Sequence, residues 1–190
     1  MYKNYGKRII DLLGASILLI LFTPLLVIIL IIYRLRKEKP FFVQLRPGKN
    51  EKLFPLIKLR TMREPKEGEN IHAPERITTW GKFLRKTSLD EIPQLWNVLK
   101  GDMSLVGPRP LLIEYLSLYS EEQKKRHTVK PGITGYAQIH GRNLLSWKKK
   151  LELDIYYAEN YNLWLDLYIL FMTPFAIGGT EPPEPFNGSN

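Results

Sequence analysis

One apolar segment, residues 12–32, limits what this chain can fold into more than any other feature of its sequence. Its roughly 20 residues are enough for a helix to cross the hydrocarbon core of a bilayer. No small-residue cleavage site follows the segment, so it does not have the pattern of a cleaved signal peptide. The segment therefore predicts a membrane-associated helix near the N-terminus.

Two features of this segment argue against a simple spanning helix. Pro24 lies in the middle, where it removes a backbone hydrogen bond and kinks a helix, and the hydroxyl of Thr23 can bond a carbonyl that the proline frees. Both flanks are basic, and positive residues prefer the cytoplasmic side. We favour a re-entrant helix that breaks at Thr23 and Pro24 and keeps both ends on that side. The alternative is an ordinary kinked spanning helix. The flanking cations are Lys3, Lys7 and Arg8 before the segment and Arg34, Arg36, Lys37 and Lys39 after it.

The charge balance of the chain predicts an anionic partner. Its 190 residues, enough for one domain with a modest core, include 28 lysines and arginines against 19 acids, a net charge of +9. Such an excess suits nucleic acid, phospholipid head groups or a phosphorylated substrate. The absence of cysteine excludes disulfides and thiolate metal sites. Three scattered histidines, His72, His127 and His140, disfavour a zinc site built on histidine.

The rest of the chain predicts an α+β fold that is mostly helical. Two short apolar runs, residues 40–44 and 53–59, flank turn residues and predict a β-hairpin. We divide the chain into an N-terminal re-entrant membrane helix, 1–39, a cytoplasmic catalytic domain with interfacial helices, 40–177, and a flexible tail, 178–190. Within the domain, a short helix or turn is predicted over 80–84, and helices are predicted from about 92 to 101 and over 111–119 and 146–161. A strand is predicted over 136–139, and residues 163–177 suit a membrane interface as well as a core.

An acidic pair, Asp90 and Glu91, is the first candidate for chemistry. Pro93 indicates that a helix begins near Ile92, which places both acids at the positive end of that helix. A carboxylate there can act as a nucleophile or as a metal ligand. The alternative involves no chemistry, because Ser88 and Glu91 have the spacing of a capping box. Taken alone, these residues favour the cap.

Single cations in defined positions are the second candidate. Lys58 and Arg60 lie two residues apart on a predicted strand and so share one face, where they could bind phosphate or simply face solvent. Arg109 lies between two prolines, which fix the direction of its guanidinium, and arginine is a bidentate partner of phosphate. A second Gly/Pro loop, residues 130–135, would let backbone amides approach a ligand. Arg142 follows it as a further phosphate candidate.

The order of these motifs behind one apolar segment resembles the bacterial sugar transferases, and more narrowly the small monotopic phosphoglycosyltransferases. The resemblance covers about residues 3–161, and the closing Phe-Asn-Gly at 186–188 resembles members that use di-N-acetylbacillosamine. Thr-Pro stands at 23–24 where the family more often has Ser-Pro. The stretches that carry the resemblance are 58–62, 85–97, 101–110, 131–135 and 141–143.

The resemblance implies two successive displacements at phosphorus. Asp90 would attack the sugar-bearing phosphate of a UDP-sugar and release UMP, and undecaprenyl phosphate would then take the phosphosugar from the aspartate. Glu91 would bind Mg²⁺, while Arg85, Arg109 and Arg142 would clamp phosphates. The implied donor carries an N-acetylated hexosamine, with di-N-acetylbacillosamine first. The implied place is the cytoplasmic face of the bacterial inner membrane, where glycoconjugate assembly begins.

The implied partners are a UDP-sugar, undecaprenyl phosphate and inner-membrane phospholipids, without nucleic acid; the oligomeric state is open, a homodimer included. Three alternatives remain at this point. Transfer could be direct, in a ternary complex; the sugar could pass without its phosphate; or the chain could be a membrane-anchored basic binding module. A binding module predicts a dispersed basic face, and the placement of single arginines in Gly/Pro loops counts against it.

Overall fold

The computed structural model describes residues 2–69, 73–141, 144–176 and 186–188 of the chain. It confirms the α+β class, with a long N-terminal helix, a small hairpin and several shorter helices. The elements are α1 (Lys7–Leu35), β1 (Phe41–Pro47), β2 (Leu53–Leu59), α2 (Thr79–Lys86), α3 (Gln94–Lys100), β3 (Ser104–Val106), α4 (Glu121–Lys124), β4 (Gly132–Thr134), α5 (Tyr136–Ile139), α6 (Trp147–Asn160) and α7 (Leu163–Met172).

The apolar segment forms α1, a helix of 29 residues that is long and apolar enough to cross a membrane by length and composition. The helix continues through Thr23 and Pro24 instead of ending there. The hydroxyl of Thr23 donates to the carbonyl of Leu19 at 2.7 Å, a bond of the kind that bends helices. The predicted re-entrant course concerns how this helix meets the bilayer, and it stays a prediction.

One face of α1 contacts the rest of the protein along most of the helix. The residues of this packed face recur at spacings of three and four, as expected for one face of a helix. The opposite face exposes isoleucine, leucine and valine side chains, an apolar surface that water does not favour. The packed face is formed by Asp11, Ala15, Leu18, Phe22, Leu26, Ile29 and Tyr33.

Polar side chains attach the N-terminal end of α1 to the domain. The buried carboxylate of Asp11 accepts from the hydroxyl of Ser104 at 2.8 Å and from the backbone amide of Leu105 at 2.9 Å. Arg8 donates to two carbonyls near the end of α3 at 2.5 and 2.7 Å. Carbonyls at a helix C-terminus have no partner within the helix, so Arg8 supplies one.

A buried ion pair joins α1 to α7. Lys7 Nζ lies 2.7 Å from Asp166 Oδ2, and the two side chains are 13% and 4% exposed. The hydroxyl of Tyr157 donates to the second carboxylate oxygen at 2.6 Å. The one acid within the apolar stretch 163–177 is thus a structural residue. The same stretch buries Ile169 and exposes Trp164, so it serves the core on one side and suits an interface on the other.

The predicted hairpin is confirmed, because β1 and β2 pair antiparallel. Phe42 lies opposite Lys58, and Arg46 lies opposite Phe54. Since side chains alternate along a strand, these four residues share one face of the hairpin. A second, parallel pair, β3 with β4, has no signal in the sequence.

Two predicted elements are wrong. Residues 136–139 form the helix α5 and not a strand, because an alternation over four residues is too short to separate the two periods. Residues 111–119 do not form an α-helix; they contain the 3₁₀ turn Ile113–Leu118, whose tighter winding follows the rigid Pro108–Pro110 segment.

The C-terminal segment departs from the predicted flexible tail at Phe186. This ring is 4% exposed and packs on Trp147, Tyr115 and Tyr119, with ring centroids 5.2 to 5.5 Å away. Burying an aromatic ring among three others offsets the entropy lost by ordering this part of the tail. The rest of the predicted tail, 178–185 and 189–190, lies outside the described residues.

The variant Asp166→Asn tests the ion pair between α1 and α7. It keeps the shape of the side chain but leaves Lys7 charged and buried without its partner. We expect the free energy of unfolding to fall by about 3 to 5 kcal/mol, measured as a lower midpoint of thermal unfolding in detergent. Glu152→Gln, which breaks the exposed pair with Lys149, is the control and should cost less than about 1 kcal/mol. Equal midpoints for the two variants would contradict this role.

Candidate active site

The acidic pair lies on the 3₁₀ turn Leu89–Glu91, between α2 and α3. Ser88, just before the turn, has φ 56°, and its side chain makes no capping hydrogen bond. The capping box that the spacing suggested is therefore absent at this turn. A left-handed serine is strained, and such strain is concentrated at functional sites. The helix after the pair begins at Gln94 with Pro93 as its cap, close to the predicted start.

Glu91 is bound by two cations. Its Oε1 accepts from Lys58 Nζ at 2.8 Å and from Arg109 Nη2 at 2.6 Å. Burial alone would raise the pKa of Glu91, but Arg109 and Lys58 outweigh burial and hold the pKa well below its usual range. Glu91 is therefore an anion at neutral pH, and it fixes the positions of both cations.

Asp90 has a contrasting environment. Its side chain lies in the core of the site, with the residue 7% exposed, and no donor among the described residues bonds its carboxylate. Burial raises the pKa of Asp90, and the charge of Lys58 offsets only part of that increase. A carboxylate without hydrogen-bond donors keeps its lone pairs available, which is what a nucleophile requires.

Arg85 approaches the acidic pair from the last turn of α2. The Nε of Arg85 donates to the hydroxyl of Thr61 at 2.9 Å. Burial lowers the pKa of Arg85, and the negative charge of Asp90 offsets part of that decrease. A Cβ at Gly81 would lie 1.9 Å from the carbonyl oxygen of Thr61, so glycine is what lets α2 pack so closely. Thr61 thus orients Arg85, a role that the sequence did not indicate.

Backbone contacts fix the loop that carries Arg109. The amide of Gly107 donates to the carbonyl of Thr134 at 2.9 Å, and the amide of Gly132 donates to the carbonyl of Pro108 at 3.0 Å. A Cβ at Gly132 would lie 2.1 Å from the nitrogen of Gly107. The glycines of the second Gly/Pro loop therefore let the first loop pack closely against it. The sequence had suggested a different role for them, a close approach of the backbone to a ligand.

A buried pair, Arg126 and Asp154, supports the same loop from behind. Arg126 Nη2 donates to the carbonyl of Arg109 and to Asp154 Oδ2, each at 2.7 Å. Both residues are buried. Sequence reasoning missed them because they lie 28 residues apart and neither belongs to a motif.

The structure brings together Lys58, Asp90, Glu91 and Arg109, with Arg85 beside them. It does not bring Arg60 there. β2 ends at Leu59, one residue earlier, and the guanidinium of Arg60 pairs with Glu64. Arg142 lies outside the described residues, and Thr23 and Pro24 lie within α1, as described above.

The acidic pair offers carboxylates, the protein ligands that Mg²⁺ takes in phosphate sites. In phosphate sites Mg²⁺ takes one or two carboxylates and completes its shell with phosphate oxygens and water. Among the described residues, no group of three or more histidine, cysteine, aspartate or glutamate side chains could hold a metal ion. A divalent ion held by Glu91 would therefore depend on oxygens from a substrate.

Comparison with known proteins identifies the class of protein. The sequence model described as "Bacterial sugar transferase" matches residues 2–179. The chain is therefore an enzyme of the sugar transferase class. It belongs to the bacterial sugar transferase family.

Several relatives support this membership. An uncharacterized sugar transferase of Bacillus subtilis, EpsL, is 51% identical over 170 residues, 88% of this chain and 84% of that protein. The UDP-glucose:undecaprenyl-phosphate glucose-1-phosphate transferase of Caulobacter vibrioides is 37% identical over 88% of this chain and 67% of its own. The UDP-N-acetylgalactosamine-undecaprenyl-phosphate N-acetylgalactosaminephosphotransferase of Aeromonas hydrophila is 39% identical over 88% of this chain, which spans 42% of that protein.

The variant Gly107→Ala tests whether the contact between the two loops positions Arg109. The added Cβ would lie 2.4 Å from the carbonyl oxygen of Lys130, so the loops must separate. We expect transferase activity to fall about 100-fold, since a shift of about 1 Å in a positioned group has that effect. Gly68→Ala is the control for backbone strain alone, because φ there is +74° but a Cβ meets nothing within 4 Å, and its activity should stay near that of the wild type. Full activity of Gly107→Ala would contradict the positioning role.

Proposed function

We propose that the chain transfers a sugar 1-phosphate from a UDP-sugar to undecaprenyl phosphate and releases UMP, through a covalent intermediate on Asp90. The contrast between the two adjacent acids carries this proposal. Two cations bond Glu91, whereas no described donor bonds Asp90. The names of the Caulobacter and Aeromonas relatives state a UDP-sugar and undecaprenyl phosphate, which supports this pair of substrates.

In the first step, an oxygen of the Asp90 carboxylate forms a bond to the phosphorus that carries the sugar. The bond from that phosphorus to the oxygen of UMP breaks, and UMP leaves with the electron pair. Lys58, Arg85 and Arg109 offset the negative charge of the phosphates, which would otherwise repel the carboxylate. Glu91 would hold Mg²⁺, which when bound neutralises the diphosphate and helps UMP to leave.

In the second step, a phosphate oxygen of undecaprenyl phosphate attacks the same phosphorus. The bond to Asp90 breaks, the carboxylate is restored, and the sugar leaves on a lipid diphosphate. Charge is conserved in both steps, and neither needs an oxidant or a reductant. The donor that the family resemblance favours carries an N-acetylated hexosamine, with di-N-acetylbacillosamine first.

We further propose that α1 enters one leaflet and keeps both ends on the cytoplasmic face of the bacterial inner membrane. Contacts at both ends of the helix support this arrangement. Asp11 bonds β3 near the start, whereas Tyr33 packs on Leu59 and Leu84 near the end. A helix that crossed a bilayer of about 30 Å would carry one end away from the domain. The basic flanks would then both meet phospholipid head groups.

Mass spectrometry of the intact protein tests the covalent step. The protein is mixed with Mg²⁺ and candidate UDP-N-acetylhexosamines, without a lipid acceptor. We expect an adduct of one phosphosugar in the wild type and none in Asp90→Asn, because the amide is a far poorer nucleophile. Glu121→Gln, which alters an exposed carboxylate paired with Lys124 on α4, should form the adduct at the wild-type rate.

Each other outcome points to a different function. Turnover without any adduct would indicate direct transfer in a ternary complex, and turnover by Asp90→Asn would remove this residue as the nucleophile. Release of UDP in place of UMP would indicate transfer of the sugar alone. Binding of acidic lipid without turnover would leave a membrane-anchored binding module.

Single cysteines test the course of α1, since the chain has none of its own. Lys3→Cys and Lys37→Cys place one thiol before and one after the helix. If both ends lie in the cytoplasm, a membrane-impermeant maleimide should label neither thiol in intact spheroplasts and both after permeabilisation. Labelling of one of the two in intact spheroplasts would show that α1 spans the membrane.

A further inference from the structure

Arg46 lies on the hairpin face that also carries Lys58. In the register of β1 and β2, Arg46 is opposite Phe54 and Lys58 is opposite Phe42, so the two cations point to the same side. Lys58 bonds Glu91 on that side, which directs this face of the hairpin towards the acidic pair. Arg46 is four residues, roughly 13 Å, further along the strand pair. It therefore lies beside the site and not within its centre.

The loop that carries Arg109 adjoins the end of β1 where Arg46 lies. Pro47 and Gly48, which follow Arg46 directly, line one cavity together with Pro108 and Arg109. The charge of Arg109 also acts on Arg46. Two guanidinium groups are thus neighbours, one from the hairpin and one from the Gly/Pro loop.

Arg46 has no acidic hydrogen-bond partner among the described residues. Its Nη2 donates to the neutral amide of Gln44 at 2.7 Å, and its Nε is buried without an acceptor. Burial, together with the charge of Arg109, lowers the pKa of Arg46 to about 10, so it remains a cation at neutral pH. A buried donor that has lost water and gained no acceptor lowers stability. Glu114 stabilises the charge of Arg46, but the described residues give its buried Nε no acceptor.

The charges around the site indicate the charge of the ligand that it would bind. Lys58, Arg85, Arg109 and Arg46 are four cations, whereas three acids act on them: Asp90 and Glu91 on the turn, and Glu114 beside Arg46. An excess of one positive charge in a partly dry site favours the binding of an anion. Phosphate suits it best, because a guanidinium bonds two phosphate oxygens in parallel.

We propose that Arg46 binds substrate, and that together with Arg109 it takes a phosphate group of one of the two substrates. This inference rests on the proposed function and extends it. A phosphate oxygen would give the buried Nε the acceptor that the described residues do not supply. The donor's diphosphate and the phosphate of the lipid acceptor share this chemistry, and the two steps of the reaction distinguish them.

Arg46→Gln is the first variant, because it removes the positive charge and the paired N–H donors of the guanidinium. The rate of adduct formation is measured against UDP-sugar concentration without lipid, and transfer from the adduct is measured against undecaprenyl phosphate concentration. We expect KM to rise about 10- to 100-fold in one of these steps, as for a lost hydrogen bond between charged groups. A rise in the first step assigns Arg46 to the donor, and a rise in the second assigns it to the acceptor.

Two further variants separate binding from structure. Arg46→Lys keeps the positive charge but lacks the paired N–H donors, so its KM should lie between those of the wild type and Arg46→Gln. Lys52→Gln removes an exposed cation from the same hairpin and should leave both steps unchanged. Without ligand, Arg46→Gln should unfold near the wild-type temperature, because the variant removes the cost of burying a charge and a repulsion with Arg109, together with an attraction to Glu114. A lower midpoint, no rescue by lysine and an unchanged KM would assign Arg46 a structural role and overturn the proposal.

Ligand binding without turnover distinguishes a failure of this inference from a failure of the proposed function. The thermal shift produced by UDP and by inorganic phosphate is measured for Asp90→Asn, with and without Arg46→Gln. If no donor reacts with the wild type, the proposed reaction fails, yet a smaller shift in the double variant would still support phosphate binding by Arg46. Equal thermal shifts with and without Arg46→Gln, together with equal reaction rates wherever turnover occurs, would overturn the proposal that Arg46 binds phosphate.

Discussion

The carboxylate of Glu91 is the point at which the separate parts of the site meet. One of its oxygens accepts from Lys58 on the hairpin and from Arg109 on a Gly/Pro loop, while its own backbone belongs to the turn between α2 and α3. Three segments that are distant in the chain are therefore held by one buried anion. Because Glu91 takes these two bonds, its neighbour Asp90 remains without a donor among the described residues. The two adjacent acids thus differ in their bonding, since Glu91 is tied to two cations and Asp90 has no described donor.

The apolar helix α1 is connected to the acidic site through α3 and β3. Asp11 and Arg8 on α1 bond β3 and the end of α3, and α3 begins three residues after Glu91. The site is therefore built directly against α1, the helix that is long and apolar enough to cross a membrane by length and composition.

Much of the architecture was predictable from local patterns. The apolar run became α1, the two short apolar runs became β1 and β2, and the periodic stretches became α2, α3 and α6. The acidic pair and Arg109 were also predictable as candidates, because residue type and Gly/Pro context indicate chemistry. Failures came where the pattern was short, as at 136–139, or where partners are distant in the chain, as for Arg126 and Asp154.

The sequence by itself determined which segments are apolar, where turns occur and which residues can carry charge, because these depend on neighbours in the chain. Only the tertiary structure decided which cations reach the acids. Alternation along one strand suggested Arg60 as the companion of Lys58, but β2 ends before it. The register of the hairpin instead places Arg46, which lies beside the acids, on the same face as Lys58, and a slip of one residue would have turned Arg46 away. Register is a property of two strands together, which is why one strand could not reveal it.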